Sequence, residues 1–202
     1  MTSPANAKVS YLTDPDSARG RLLSKAAHLF RVKGFERTTV RDLAREIGIQ
    51  SGSIFHHFRT KEEILRAVME EAILYNTERM EQQVNAAPNA REKVLALIRC
   101  ELESVLGLTG EAMSVLVYEW RSLSDESQAY ILNLRDKYEA IWLTALEAAK
   151  ADGLIDADTF VLRRFLTGAL SWTTTWYKPG RELSIQALAE QALLLAIKNQ
   201  HP

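Results

Sequence analysis

The residues best placed to do chemistry lie between Thr38 and Lys61, in the run TTVRDLAREIGIQSGSIFHHFRTK. Its polar groups include hydroxyls, imidazoles and cations, which donate hydrogen bonds to phosphates and to the edges of bases. A nucleic-acid contact is therefore the chemistry that this run favours. The predicted DNA-binding residues are Thr39, Arg41, Ser51, Gly52, Ser53, Phe55, His56 and Lys61.

Two short helices joined by a tight turn must position these groups. The first starts at a threonine cap, either Thr38 or Thr39, and runs to Ile47; Gly48, which can take the left-handed conformation, ends it. The second is predicted from about Gln50 to Phe58, with Ile54 and Phe58 turned inward. Its other face carries small, polar or flat side chains, which suits a major groove about 12 Å wide. The pattern indicates a helix-turn-helix whose second helix reads DNA.

Each polar residue has an expected partner on the duplex. Arg41 can reach a guanine edge, where a bidentate contact discriminates by roughly 1–3 kcal/mol. Lys61 lies in the first turn of the following helix and suits a phosphate. The hydroxyl of Thr39 either contacts a phosphate as well as capping its helix, or only caps. Phe55 suits a thymine methyl group or a sugar, and His56 a phosphate or a base.

Neither a metal site nor an enzyme is predicted. The adjacent His56 and His57 point about 100° apart on a helix and cannot readily share an ion, so His57 is expected to pack inward beside Ile54. The sequence has no phosphate loop, no nucleophile elbow and no zinc motif. Glu101 and Glu103 are interpreted as solvated helix charges. No cofactor is expected.

The charge distribution agrees with a DNA-binding head on an acidic body. Residues 1–62 hold eleven Lys and Arg against six Asp and Glu, whereas residues 63–202 hold fourteen against twenty. Charge alone is equally compatible with an ordinary solvated surface. No apolar run approaches the length of a membrane span, and no signal peptide is recognisable. Cys100 is the single cysteine; it is either an inert thiol or a redox sensor, and a reducing, cytoplasmic location is expected.

The remaining chain is predicted to be helical, giving an all-α fold of about nine helices. Residues 1–15 form a flexible arm, 16–62 the helix-turn-helix domain, and 63–202 a domain for ligand binding and dimerisation. In and near the arm, Lys8, Arg19 and Arg21 can reach phosphates or a minor groove. The predicted later helices are Thr60–Asn85, Ala90–Leu106, Glu111–Arg121, Ser124–Ala151, Asp156 or Asp158 to Tyr177, and Ile185–Asn199.

The last two helices are predicted to join two copies of the chain. One helix-turn-helix makes too few contacts for specific binding, whereas a two-fold dimer reads both halves of a palindromic operator. The apolar stripes of these helices are wider than one monomer needs to bury. The alternative is that they only complete the monomer core. The predicted dimerisation residues are Phe165, Ala169, Trp176, Leu188, Ala192 and Leu195.

The N-terminal part, roughly residues 16–68, resembles the tetracycline-repressor (TetR) family. The resemblance rests on LLSKAAHLFRVKGF, TTVRDLAREIGI, GSIFHHF and TKEEIL, which keep their order and spacing. It implies a transcriptional repressor that binds double-stranded DNA as a homodimer and is released by a small ligand. The family usually has Ser near Gln50, often a basic residue near Ser51, and Tyr at Phe55, where its hydroxyl touches a phosphate. The last two helices of the family pack with their mates as a four-helix bundle.

A small apolar effector is predicted to bind among the body helices. Apolar cavities with a few polar groups are typical ligand sites, and the aromatic residues of the body can line one or simply form its core. The predicted ligand-binding residues are Arg121, Tyr138, Trp142 and Trp172. Arg163, Arg164 and Lys178 can also supply a basic mouth.

The identity of the effector is left open between two classes. The segment RFLTGALSWTTTWYKPGRELSIQALA resembles TetR-type regulators of fatty-acid and sterol-ring catabolism, which implies an acyl-CoA. A drug or a signalling molecule is the alternative. The ligand would move the long helix Thr60–Asn85, and so the spacing of the two heads. The alternative from another class is a protein that coats DNA without sequence preference.

Overall fold

The computed structural model describes residues 13–180 and 183–198. Within these ranges the chain forms nine α-helices and one short 3₁₀ turn, with no strand, which confirms the all-α prediction. Lys8 and most of the predicted arm lie outside the described residues. The helices are α1 (Ala18–Lys33), α2 (Val40–Ile47), α3 (Ser51–Ile54), α4 (Lys61–Ala86), α5 (Ala90–Leu106), α6 (Gly110–Tyr118), α7 (Asp125–Ala151), α8 (Thr159–Trp176) and α9 (Ile185–Ala196).

Side-chain caps set the helix starts. Each capping oxygen accepts the backbone N–H three residues further on, which satisfies one of the donors that a helix start leaves unpaired. Gly48 ends α2 with φ 71° and ψ 32°, the left-handed conformation that the sequence predicts. Thr60 and Ser124 cap α4 and α7, as the sequence predicts. Where the sequence left two candidates, the structure selects Thr39 over Thr38 and Asp158 over Asp156. Ser184 caps α9.

Helices α3 and α6 end earlier than predicted, because the chain continues from each of them as a tighter turn. The second helix of the pair was expected to reach Phe58, but α3 ends at Ile54. Beyond it the amides of residues 55–57 donate to carbonyls three residues back, so the chain continues as a tighter turn. In the same way α6 ends at Tyr118, and a 3₁₀ turn, Trp120–Ser122, replaces the predicted end.

The buried side chains form two clusters that meet along α4. The head cluster joins α1–α3 with the first half of α4, and it also includes Val115 and Leu116 of α6 and Ile131 of α7. The body cluster joins the end of α4 with α5, α7, α8 and α9. Helix α6 therefore packs with the head although it lies beyond residue 62. None of the helices among the described residues is long and apolar enough to cross a membrane.

Polar contacts from α6 and its surroundings hold the head on the body. Glu111 Oε1 lies 2.9 Å from His28 Nδ1 on α1. Glu119 accepts the backbone N–H of Phe35 at 3.2 Å. Glu62 accepts from the amide and the hydroxyl of Ser124 at 2.8 and 2.7 Å, and these bonds lower the pKa of Glu62. Any displacement of α6 or of the start of α7 is thereby coupled to the head.

Candidate DNA-binding surface and effector cavity

A network around Asp42 fixes the start of α2. The hydroxyl of Thr39 accepts from the Asp42 amide, and Asp42 Oδ2 accepts from both the amide and the hydroxyl of Thr39. The Lys33 ammonium, 2.7 Å from the same oxygen, and the Thr39 hydrogen bonds hold the pKa of Asp42 well below its usual range. Because the hydroxyl of Thr39 already donates its proton to Asp42, its oxygen can only accept further hydrogen bonds.

Helices α2 and α3 present small and unpaired groups to the solvent. Arg41 is exposed, and its guanidinium has no partner among the described residues. Gly52 and Ser53 are exposed and Ser51 is half-buried, while Ile54 of the same helix is buried. A backbone that carries almost no side chain can approach the floor of a groove closely.

The turn after α3 extends the same exposed surface. Phe55 is 54 % exposed, and His56 and His57 are exposed beside it. The placement of His57 corrects the expectation that it packs inward, because the tightened turn rotates it out. Gln50, which begins α3 without a side-chain capping bond, and Arg59 are further exposed candidates. Sequence reasoning missed Arg59 because it assumed a regular helix to Phe58.

Lys61 is occupied within the head. Its ammonium donates to the Phe35 carbonyl at 2.7 Å and lies 4.0 Å from the centre of the Phe35 ring. This contact ties the start of α4 to the loop between α1 and α2. A phosphate contact from Lys61 must therefore use its remaining N–H groups.

A cavity of about 590 Å³ lies between α4, α5, α6, α7 and α8. This volume is within the range of small-molecule sites. Apolar residues of α6 and α7 form much of its wall, together with Tyr138. Its charged lining residues are Glu101, Arg135, Glu139, Arg163 and Arg164.

Glu101 joins three helices through a buried polar network. It is 3 % exposed and accepts from Tyr138 Oη at 2.8 Å and from Trp142 Nε1 at 3.1 Å. Arg163 Nη1 of α8 lies 3.5 Å from Glu101 Oε2. Burial, followed by the nearby Glu101 charge, raises the pKa of Tyr138 well above its usual value. Glu101 is therefore a core residue and corrects the interpretation of a solvated charge.

Arg163 has one donor group to spare. The residue is 1 % exposed, and its Nε and Nη2 donate to the carboxylate of Glu139 at 3.1 Å each. Its Nη1 is buried and makes no hydrogen bond. An unpaired buried donor carries a desolvation cost, and a ligand oxygen in the cavity would remove that cost.

Only one of the predicted ligand residues lines this cavity. Tyr138 does. Trp142 is fully buried behind it, with its ring 4.3 Å from the Arg163 guanidinium. Arg121 is exposed on the 3₁₀ turn, and Trp172 is 67 % exposed on the outer face of α8. Of the four cations that the sequence offers for a basic mouth, Arg163 and Arg164 line the cavity, whereas Arg121 and Lys178 do not.

The outer faces of α8 and α9 expose large apolar side chains. Phe165 is 73 % exposed and Leu195 is 88 % exposed, with Ala169 and Trp176 exposed on the same helices. Trp172 belongs to this face. Leu188 does not, because it packs in the body core, and Ala192 is half-buried against that core. An apolar surface of this extent on a protein marks an interaction site.

Comparison with known proteins places the chain in a family. Residues 22–68 match the model of the bacterial regulatory proteins of the tetR family, and residues 87–199 match the tetracyclin repressor-like C-terminal domain. The HTH-type transcriptional repressor KstR2 of Mycolicibacterium smegmatis is 32% identical over 190 residues, 92% of this chain and 91% of that protein.

Two solved structures are similar over most of the chain. The superantigen PfiT is 66% identical, with a TM-score of 0.79, and the match covers 93% of this chain and all of PfiT (100%). The ketosteroid transcriptional regulator KstR2 of Mycobacterium tuberculosis is 28% identical, with a TM-score of 0.80, over 91% of this chain and 96% of that protein. The chain belongs to the TetR family of bacterial transcriptional regulators.

Proposed function

We propose that this regulator is a repressor that binds a palindromic operator as a homodimer and leaves it when an apolar effector occupies the body. The observation that carries the proposal is the exposed surface of α2 and α3. Arg41 is unpaired there, and Ser51, Gly52 and Ser53 leave the backbone open to a groove. KstR2, the relative at 32% identity, is itself named a repressor.

The DNA contacts divide into two kinds. Arg41 and the α3 residues face base edges, and Phe55 and His56 extend the same surface. Lys61 contacts the phosphate backbone through its free N–H groups, whereas Thr39, whose amide and hydroxyl both donate to Asp42, caps α2 and is not expected to contact a phosphate. Phosphate contacts fix the register of a protein on a duplex, while base contacts give the sequence preference.

The homodimer forms through the exposed face of α8 and α9. Phe165, Trp172 and Leu195 would bury their apolar surface against the partner copy, with Ala169 allowing close approach of the helices. Two-fold symmetry then presents two heads to half-sites about one turn apart. We place this regulator in the cytoplasm, where a bacterial chromosome lies.

The effector is an apolar molecule with an oxygen acceptor. Apolar side chains of α6 and α7 would surround its body, and Arg163 Nη1 would donate to a carbonyl or carboxylate oxygen. An acyl-CoA fits this chemistry, and the KstR2 relative of known structure is named a ketosteroid regulator. A drug with a carbonyl group is the alternative effector.

Release follows from a shift between two arrangements of the body. The cavity is lined by Met113 and Leu116 of α6, the helix that also carries Glu111 to the head. A ligand that favours a displaced α6 moves the head through this contact and through α4. It can shift the equilibrium only by the difference in its affinity for the two states.

The test is a titration of the protein onto DNA from upstream of its own gene, with a scrambled duplex as control. We expect selective binding at physiological salt, two chains per duplex, and dissociation on addition of octanoyl-CoA. Arg41→Ala should cost about tenfold or more in operator affinity. Arg91→Ala, which removes an exposed arginine of α5, is the matched control.

Each alternative has its own outcome in this experiment. Equal binding to both duplexes with a steep salt dependence supports a coating protein and rejects the operator reader. Selective binding that octanoyl-CoA does not reverse, but that a carbonyl-bearing drug from a screen does, supports the alternative effector. Loss of that response in Arg163→Met then assigns the ligand to the cavity.

A further inference from the structure

A second cavity of about 430 Å³ lies where the head meets the body. Arg31, near the end of α1, contributes to its wall from the head. The body supplies the α5–α6 connection, the outer side of α6 and the end of α8. A ligand in this cavity touches both parts of the molecule directly.

Arg31 is held there by a single long contact. Its Nε lies 3.5 Å from Glu111 Oε1, and the side chain is 50% exposed. The same Glu111 oxygen is closer to His28, at 2.9 Å. No other partner of Arg31 is present among the described residues. The terminal nitrogens of the Arg31 guanidinium can therefore donate hydrogen bonds to an anionic oxygen.

Hydroxyl groups line the cavity next to Arg31. Ser114 projects from α6, and Ser171 and Thr174 project from α8. Thr174 donates to the Ser171 carbonyl, which leaves the Thr174 hydroxyl oxygen as an acceptor, while the Ser171 hydroxyl has no hydrogen-bond partner within residues 13–180 and 183–198. Apolar side chains, among them Val117 and Tyr118, complete the wall. The lining fits the oxygen-rich end of an amphipathic molecule.

The second cavity adjoins the effector cavity, which is the cavity of about 590 Å³ beside Arg163. Both are lined by Met113, Val117 and Ser171. Four of the polar residues of α8 that line the two cavities recur with helical spacing and form one stripe, which consists of Arg163, Thr167, Ser171 and Thr174. With a rise of 1.5 Å per residue, the two ends of this stripe are about 16 Å apart.

We propose that the two cavities bind one elongated effector, with its acidic end at Arg31. The proposal rests on the effector site at Arg163. The apolar part and a carbonyl lie beside Arg163, and a phosphate or carboxylate oxygen in the second cavity displaces Glu111 from Arg31. Because Glu111 also holds His28, the same acidic end repels the carboxylate that fastens α1 to α6. Binding of the acidic end thus weakens the contact between head and body.

The experiment compares octanoyl-CoA with octanoate, which is too short to reach both ends. Affinities for the full-length homodimer are measured by isothermal titration calorimetry. Arg31→Gln should lower the preference for octanoyl-CoA over octanoate roughly ten- to a hundred-fold, the worth of a charge-assisted hydrogen bond. Glu111→Gln should raise that preference about two- to five-fold, since it removes a surface competitor. Arg91→Gln, again an exposed arginine paired with a glutamate, should change neither affinity.

Three outcomes separate this proposal from the one on which it rests. If Arg163→Lys, which keeps a cation between Glu101 and Glu139, weakens octanoyl-CoA binding at unchanged thermal stability and Arg31→Gln does not, the effector site stands and the second subsite is rejected. If wild-type protein binds neither probe, the acyl effector and the subsite both fail. If Arg31→Gln changes the preference for octanoyl-CoA over octanoate but has the thermal stability and operator affinity of the wild type, a folding defect is excluded as the cause of the change.

Discussion

At the scale of single residues, the buried charge of Glu101 shows how a sequence signal can be overlooked. Glu101 follows Leu97 by four residues and Ile98 by three, so it lies on the apolar stripe of α5. A carboxylate at such a position requires partners, because an unpaired buried charge is very costly. The partners come from α7 and α8, far along the chain, and no local spacing identifies them. The need for partners was therefore predictable from the sequence, but their identity was not.

Substitution of Glu101 should be far more costly than substitution of its neighbour Glu103. Glu101→Gln removes one of the two carboxylates that face the buried Arg163, leaving only Glu139, and replaces the charged acceptor of Tyr138 and Trp142 with a neutral one. It should lower the free energy of unfolding by roughly 3 kcal/mol. The same change at Glu103, which is 28% exposed and paired with Arg79, should lower the free energy of unfolding by about 1 kcal/mol or less. Urea denaturation of both variants measures the difference. Equal losses of unfolding free energy would mean that the Glu101 network contributes no more to stability than the partly exposed pair of Glu103 and Arg79.

Asp42 should give the head a dependence on pH. Its pKa is lowered in the folded chain by Lys33 and by the hydrogen bonds of Thr39. The stabilisation is therefore complete above the unfolded pKa of about 3.9 and is lost progressively as the pH falls from there towards the lower pKa of the folded chain. Asp42→Asn should lower the melting temperature at pH 7, and this difference between variant and wild type should shrink as the pH is lowered from about 5 to about 2. A difference that does not shrink over this range would contradict an electrostatic origin.

At the scale of elements, two glycines separate the stability of the helix pair from its function. Gly48 has φ +71°, whereas Gly52 has no positive φ, and an added Cβ would meet no atom within 4 Å at either position. Gly48→Ala should cost about 1–2 kcal/mol of stability through backbone strain alone. Gly52→Ala should leave stability unchanged or raise it slightly, and should weaken operator binding because its methyl group faces the groove.

Thermal melts and DNA titrations of both variants check this pair. If Gly52→Ala bound the operator as tightly as wild type, the start of α3 would not approach the bases. If Gly48→Ala were as stable as wild type, the turn between α2 and α3 would tolerate another conformation. The two glycines thus serve as controls for each other.

The elements were predictable where capping chemistry is local. The start of α4 at Thr60 and the start of α7 at Ser124 need only the capping residue and its helix. The end of α3 was not predictable, since the choice between a regular and a tightened turn depends on Phe58 packing into the head core beneath Arg19. Likewise, helical spacing alone cannot tell whether Trp172 faces a cavity or a partner, since both surfaces are apolar.

At the scale of the whole molecule, operator reading depends on joining two heads. Trp172 lies in the centre of the exposed apolar face of α8, seven residues after Phe165 and four before Trp176. When two copies bury this face, each copy buries three large aromatic side chains. Buried aromatic residues near the centre of an interface usually contribute most of its binding energy. A charge placed there would be desolvated without a partner.

Trp172→Glu should therefore give a monomer that retains its fold. We expect sedimentation at the monomer mass, an unchanged affinity for a single half-site and a large loss of affinity for the full palindrome. Leu108→Glu, which charges an equally exposed apolar residue (79%) on the α5–α6 connection, is the matched control and should stay dimeric. A dimeric Trp172→Glu would move the interface elsewhere. A monomeric variant that still bound the palindrome tightly would show that one head suffices, and the two-fold operator would then lose its physical basis.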